Sequence, residues 1–216
     1  MKLKDRIRQW KEYSKMSDLG IIARRKFFNN AFDGALTCAG IVSGIFILFL
    51  PNPTSYETQQ VLIPGFATAL AIGISGLWGA FLSEEAERKK KVIDMKKDMA
   101  EVEIETDNTN KNTRKKKKEK KPKTIIEKAE SFATLLASLV DGAAPVLGSS
   151  LPLIPFFFGG TLTLLHFIIS YGILAGLLVY LGIFLGQISG GGRLRYALHL
   201  ITAGVVTLII SILLGI

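Results

Sequence analysis

"RRKFFNNAFDGALTCAGIVSGIFILFL", residues 24–50, decides the fold class. Three positive charges lead into a stretch long enough to cross a bilayer, since about 18 or more apolar residues with few charges read as a membrane span. One acid, Asp33, sits inside that stretch. A carboxylate near the centre of a membrane helix costs about 2.5–3.5 kcal/mol on insertion scales, so its presence asks for a purpose.

Working outward, four more runs of the same kind follow, at 61–82, 132–158, 161–185 and 196–216. At about 1.5 Å rise per residue each reaches or exceeds the roughly 30 Å hydrocarbon thickness. In lipid a single segment satisfies its backbone polar groups only as a helix. The sequence therefore predicts an all-α membrane protein of five transmembrane helices. It is 49% hydrophobic yet 21% charged, because the charge is packed between the spans instead of spread along the chain.

Of the 27 Lys and Arg residues, nine precede the first span, sixteen lie between spans two and three, and two, Arg193 and Arg195, lie between spans four and five. The connections "PNPTSYETQQ" and "GG" carry none. With every basic residue on one side of an odd-numbered bundle, the positive-inside rule places the N-terminus in the cytoplasm and the C-terminus outside. The opening "MKLKDRIRQWKEYSKMSDLG" has no apolar centre to serve as a cleavable signal. The predicted organisation is a cytoplasmic amphipathic basic helix over 1–26, transmembrane helices one and two over 27–82, a cytoplasmic acidic helix and Lys-rich linker over 83–131, and transmembrane helices three to five over 132–216. The single cysteine, Cys38, excludes an intrachain disulfide and reads as a small packing residue.

Between spans two and three, "SEEAERKKKVIDMKKDMAEVEIE" has no Gly or Pro and prolongs the second helix into the cytoplasm. It is followed by "TDNTNKNTRKKKKEKKPK", polar and then strongly basic, a solvated tether suited to anionic lipid headgroups. No aromatic residue interrupts "RKKKKEKK" to stack on bases, so nucleic acid is not an expected partner. Small residues at GxxxG spacing, Gly40/Gly44, Gly172/Gly176 and Gly182/Gly186, permit close helix contact within one chain or between two.

Two acids fall within spans, Asp33 in "AFDGALT" and Asp141 in "SLVDGAAP". If the first helix starts at Ala31, Asp33 is an interfacial N-terminal residue favoured by the helix dipole. If it continues up from "RRKFF", Asp33 lies inside the membrane. Asp141 stands nine residues past Phe132, about 13 Å along its helix. Pro145, four residues on, has no N–H for the carbonyl of Asp141, so a carboxylate and a freed carbonyl stand at one level. Oxygen donors of these kinds suit a hard or borderline cation, and broken helices recur at transporter ion sites. Both acids open Asp-Gly-Ala, which predicts equivalent depths facing each other, a dimer mate or a bound cation. His166 in span four is a candidate proton relay, weighed against ordinary packing and hydrogen bonding.

The acids Glu84, Glu87, Asp94, Asp98, Glu101 and Glu105 keep near one face of the helix after span two, and Glu127 and Glu130 repeat the acid-x-x-acid spacing. Pairs at i, i+3 can place two carboxylates on one metal, as in helical bundles. The competing reading is a solvated helix held by charge pairs with its lysines.

In these features the sequence resembles the vacuolar iron transporter family, over about residues 24–88 and 130–216. "AFDGALTCAGIVSGI" is similar to that family's first-helix motif with its metal-path Asp. "ATLLASLVDGAAPVLGSSLPLIPFF" is similar to its third span, and "GGGRLRYALHLITAGVVTLIISILLG" to its closing helix. The resemblance implies a homodimer in a prokaryotic cell membrane that exports Fe²⁺ or Mn²⁺ from the cytosol in exchange for protons, with no tightly bound cofactor and no enzymatic activity. By position it gives Asp33 the metal-path role and makes the acids from Glu84 to Glu130 a metal-binding insert. Two departures stand out. "SGLWGAFLS" has Ala80 where the family carries Glu, and Asp141 stands where the family often has an apolar residue, so span three is expected to replace the acid lost from span two. The competing readings are an intramembrane aspartyl protease using Asp33 and Asp141, whose second Asp lacks the glycines of a GxGD motif here, and a non-transporting membrane scaffold.

Overall fold

The computed structural model describes residues 19–106 and 125–214 together with Trp10, Glu12 and Ser14; for residues 92, 95–106, 125–127 and 130 the description is of backbone alone. Five helices make up almost all of it: α1 (Leu19–Phe49), α2 (Gln59–Thr106), α3 (Ile125–Leu153), α4 (Leu164–Ser189) and α5 (Arg193–Leu214). Each contains a segment long and apolar enough to cross a membrane. The helices run on through the charged residues that bound the spans in the sequence. Charged side chains do not break a helix whose backbone bonds are internal. Thus α1 begins at Leu19 and continues without interruption through Arg24, Arg25 and Lys26, across the expected boundary at residue 26. α2 extends to Thr106, as the absence of Gly and Pro after Ser83 predicts. The amphipathic segment before Leu19, apart from Trp10, Glu12 and Ser14, and the Lys-rich stretch 107–124 lie outside the described residues.

Packing contacts fix the relative helix directions. Leu19 clusters with Ala133 and Ala137, and Val42 with Leu153 and Phe156, so α1 and α3 run parallel. Gly65 meets Leu153 and Gly76 meets Asp141, so α2 runs antiparallel to α3. Phe28 stacks on Phe184 and Phe46 packs against Phe167 with tilted rings, so α4 runs antiparallel to α1. Gly182 abuts Ala197 and Gly186 abuts Arg193, so α5 runs back along α4. One end of the bundle gathers Arg24, Arg25, Lys26, Arg88 and Arg193. At the other end a cluster of Phe49, Val61, Phe156, Leu162 and Phe167 closes the core, with Cys38 fully buried at its base.

At that end two connections clip together. Leu162 donates its N–H to the Tyr56 carbonyl at 2.9 Å and Thr58 to the Gly160 carbonyl at 3.2 Å, around an isolated antiparallel bridge between Glu57 and Thr161. Pro152 and Pro155 explain why α3 stops at Leu153 and tightens into a 3₁₀ turn over Ile154–Phe157. The Ser170 hydroxyl of α4 donates to the Pro152 carbonyl at 2.7 Å.

α3 is the hub. Lipid offers helices no hydrophobic reason to associate, so close backbone approach at small residues must hold them. On one side, Gly34 of α1 lies against the backbone of Pro145, and Gly148 of α3 against the carbonyl of Ala31. On the other, a Cβ at Gly142 would come within 2.7 Å of the Gly73 carbonyl oxygen of α2. Of the three GxxxG pairs named above, Gly182/Gly186 is used inside the chain, whereas Gly40, Gly172 and Gly176 have open space where a side chain would go. Gly148→Ala is therefore expected to push α1 off α3 and destabilise the protein by about 1–3 kcal/mol, the usual cost of overpacking. Gly172→Ala is expected to have no such effect. Thermal unfolding of both variants in detergent checks the contrast; equal midpoints would refute the seam.

Candidate functional site

The basic end of the seam holds one of the two acids that fall within the spans. Asp141, in the middle of α3, is buried at 8% exposure. Its Oδ2 accepts from Lys26 Nζ at 2.5 Å and its Oδ1 from Asn30 Nδ2 at 2.5 Å. Both donors come from α1. They lie four residues apart, one helical turn, so they present one face and grip the two carboxylate oxygens separately. Lys26 Nζ also stands 3.5 Å from Glu84 Oε1 of α2, whose other oxygen lies 3.7 Å from Arg88. One ammonium thus sits between carboxylates from two helices while belonging to a third.

A buried carboxylate is expensive unless it is paired and hydrogen-bonded. Lys26 supplies the countercharge and Asn30 the remaining hydrogen bond. The proline at 145 works differently from the sequence expectation. The carbonyl it frees at Asp141 is turned toward Gly76 of α2, where a Cβ would stand 2.9 Å away, while the carboxylate points to α1. The two oxygens serve different neighbours.

Asp33 is elsewhere. Because α1 is continuous from Leu19, Asp33 lies mid-helix, not at an N-terminus. Ala31, Gly34, Ala35 and Cys38 turn inward, whereas Asp33 and Asn29 lie on an exposed flank. Among the described residues no side chain hydrogen-bonds or pairs with its carboxylate; only its backbone carbonyl is engaged, by the Thr37 hydroxyl at 2.8 Å. With Lys26 beside Asp141 and Ala31 beside Gly148, Asp33 stands about 10 Å farther along the parallel helices than Asp141. Within one chain the two acids neither face each other nor share a depth.

The remaining candidates separate as well. His166 lies at the end opposite Asp141 and caps α4. Its Nδ1 accepts the Thr163 N–H at 3.1 Å, which leaves Nε2 to donate to the Phe158 carbonyl at 2.6 Å. Both ring nitrogens are committed to closing the α3–α4 connection. Glu87 pairs with Lys91 at 3.9 Å, and Glu85 with Lys89 at 2.7 Å, one turn apart on the exposed surface of α2. Such pairs contribute only about 0.3–0.5 kcal/mol each and match the reading of a solvated helix. Asp94 is exposed. The side chains of Asp98, Glu101, Glu105, Glu127 and Glu130 lie outside the described residues. Among the described residues no three His, Cys, Asp or Glu side chains converge as a metal centre.

Sequence reading missed Lys26 and Asn30 as site residues. Along the sequence Lys26 reads as one more orienting charge. The signal was present: "KFFNN" places Lys and Asn one turn apart at the mouth of a span, and a buried Asp elsewhere required a partner of that kind.

No family model matches the chain. It is 27% identical over 165 residues to the uncharacterized protein MJ0645 of Methanocaldococcus jannaschii, an alignment covering 76% of this chain and 74% of that one.

The two partners of the ion pair are not equivalent. Asp141 is short and shut in, with its side chain 11% exposed, whereas Lys26, at 20%, has a long stem that can carry its ammonium to the surface. Lys26→Met is therefore expected to destabilise the protein by about 3 kcal/mol, near the lower end for breaking a buried pair. Asp141→Leu should cost less, and Lys26→Met with Asp141→Leu should recover most of the loss. Thermal midpoints of the three variants decide it; a double variant no better than Lys26→Met would show that the charges are not coupled.

Proposed function

We propose that this protein is a proton-coupled transporter of divalent transition-metal ions, Fe²⁺ or Mn²⁺, acting as a homodimer in a cell membrane with its N-terminus in the cytoplasm. The observation that carries the reading is Asp141: a carboxylate inside a membrane-spanning helix, gripping a cationic group together with Glu84 of a neighbouring helix. Intramembrane acids are expensive, and in membrane helices they mark ion paths or proton relays far more often than structural ties.

Three further features support it. The basic residues fall on one side of the five spans, which gives the orientation. Asp33 sits on an exposed flank of α1 within a span, and a second copy lying against that flank would remove it from lipid. In that arrangement Asp33 meets its counterpart at the dimer axis, so the two acids act in succession, about 10 Å apart in depth, not as one site. The resemblance to the vacuolar iron transporter family accords with both the first-helix Asp and the dimer.

The scaffold reading has one observation in its favour. Lys26 compensates Asp141 without any transported ion, as a purely structural tie would. Flux separates the two. Protein reconstituted in liposomes is expected to take up Mn²⁺ or Fe²⁺ under an opposing proton gradient, with Asp33→Asn and Asp141→Asn each lowering the rate at least about tenfold, the scale of one lost charge–ligand interaction. A folded Asp33→Leu, Asp141→Leu variant that transports like wild type would overturn the proposal. Cysteine placed at Asn29 in a Cys38→Ala background is expected to cross-link two copies; its failure would remove the dimer through α1.

A further inference from the structure

Away from Asp141, between α1, α4 and α5, lies a cavity of about 150 Å³ that is apolar but for one pair of hydroxyls. A dry cavity of about that size holds a single benzene ring. Ala39 and Ser43 of α1 line it from below, Leu174 and Leu178 of α4 from one side, and Gly204 of α5 from the other. Gly204 keeps it open, since a Cβ there would come within 2.8 Å of Leu178 Cδ1. Ala39, Ser43, Leu174 and Leu178 are buried, whereas Ala175 and Val205, which also line it, are exposed. The mouth therefore opens sideways between α4 and α5, on a face that faces lipid when these helices span a membrane.

The two polar side chains on its lining are Ser43 and Tyr171, whose hydroxyls are hydrogen-bonded to each other at 3.0 Å. Ser43 is buried at 1% exposure. A helix hydroxyl can return its hydrogen to the carbonyl one turn back, as Thr37, Ser138, Ser149 and Thr202 do. Ser43 turns across to α4 instead. Two hydroxyls carry two hydrogens, and their mutual bond uses one. The other has no acceptor among the described residues. A buried donor without an acceptor is costly, and the open space beside this pair is where an acceptor would stand.

Water and lipid tails do not meet that need. A buried water is held by about two to four polar partners, and the cavity offers only the one pair. A lipid keeps its oxygens at the headgroup end. Ser43 lies six residues before the end of α1 at Phe49, about 9 Å into the bundle, where a lipid chain carries only hydrocarbon.

We infer that this cavity is a binding site for a membrane-dissolved carbonyl compound of single-ring size. Its ring fills the apolar space between α1, α4 and α5, and its oxygen accepts the spare hydrogen of the Ser43–Tyr171 pair. Any chain that the ring carries leaves between Ala175 and Val205 into the bilayer. The inference goes beyond the transport reading and does not depend on it.

The test uses two probes of matched shape, para-fluoroacetophenone and para-fluorocumene, of which only the first has a carbonyl oxygen. Each is titrated into the full-length protein in detergent, and the bound fraction is read from the fluorine magnetic resonance signal. Wild type is expected to bind both. Ser43→Ala with Tyr171→Phe removes both donors and should weaken the ketone about tenfold, the scale of one hydrogen bond, while leaving the hydrocarbon unchanged. Either substitution alone should keep the ketone bound, because each leaves one hydroxyl with its hydrogen free. Ala175→Phe, at the mouth, should remove the bound signal of both probes.

No bound signal with wild type overturns the inference, as does binding that survives in Ala175→Phe. A double variant that binds the ketone as wild type does, or loses both probes equally, also overturns it: the cavity then takes any apolar group, a lipid chain end included. If the double variant does not fold, the infrared carbonyl stretch of the ketone decides, taken as the difference between wild type and Ala175→Phe. A stretch lowered from its value in alkane reports the hydrogen bond; an unshifted one overturns the inference.

Discussion

A charge that lipid will not accept organises the basic end of this bundle. Asp141 is short, buried and placed on a helix enclosed on two sides, so it cannot reach water by bending. Something must come to it. Lys26 and Asn30 do, from a helix that lies close because Gly34 and Gly148 allow backbone to touch backbone. The glycine seam and the ion pair are thus one device. Without the seam, α1 would stand too far off for Asn30 to reach the carboxylate; without the pair, the seam would enclose an uncompensated charge.

The same constraint divides labour among the helices. α3 contacts α1 and α2 through backbone, and its own polar backbone groups are answered locally: Ser149 donates to the Pro145 carbonyl at 2.6 Å and Ser138 to the Thr134 carbonyl at 2.8 Å. At the opposite end the work passes to aromatic rings and to the clipped connections, with His166 spending both nitrogens on one turn. α5 is held chiefly along α4 and α1 and remains largely open on its outer face. Close glycine contacts gather where α1, α2 and α3 meet, the same region that holds Asp141.

Asp33 shows what a single chain leaves unfinished. It is carried on a continuous helix, well inside a segment suited to cross a membrane, and it lies exposed, with no partner for its carboxylate among the described residues. Asp141 has its compensation within the chain. The two acids share the tripeptide Asp-Gly-Ala, but that likeness does not give them a common environment, because depth and facing depend on how each helix is rotated against its neighbours.

The sequence by itself determined the helix class and the number of spans, because both follow from the length of apolar runs and the absence of water to satisfy a backbone. It determined as well which residues were costly to bury, naming Asp33 and Asp141 directly. It also foresaw that the second helix would run on past its span, since nothing between Ser83 and Glu105 breaks a helix. Only the tertiary structure decided which glycines were spent inside the chain, and that Lys26 and Asn30, not Asp33, would meet Asp141. It also sent the carbonyl freed by Pro145 to α2, away from the carboxylate beside it. Those outcomes turn on the rotation and offset of one helix against another. Rotation and offset are set by the sum of many small packing contacts across the interface, and no local pattern along a single helix encodes that sum.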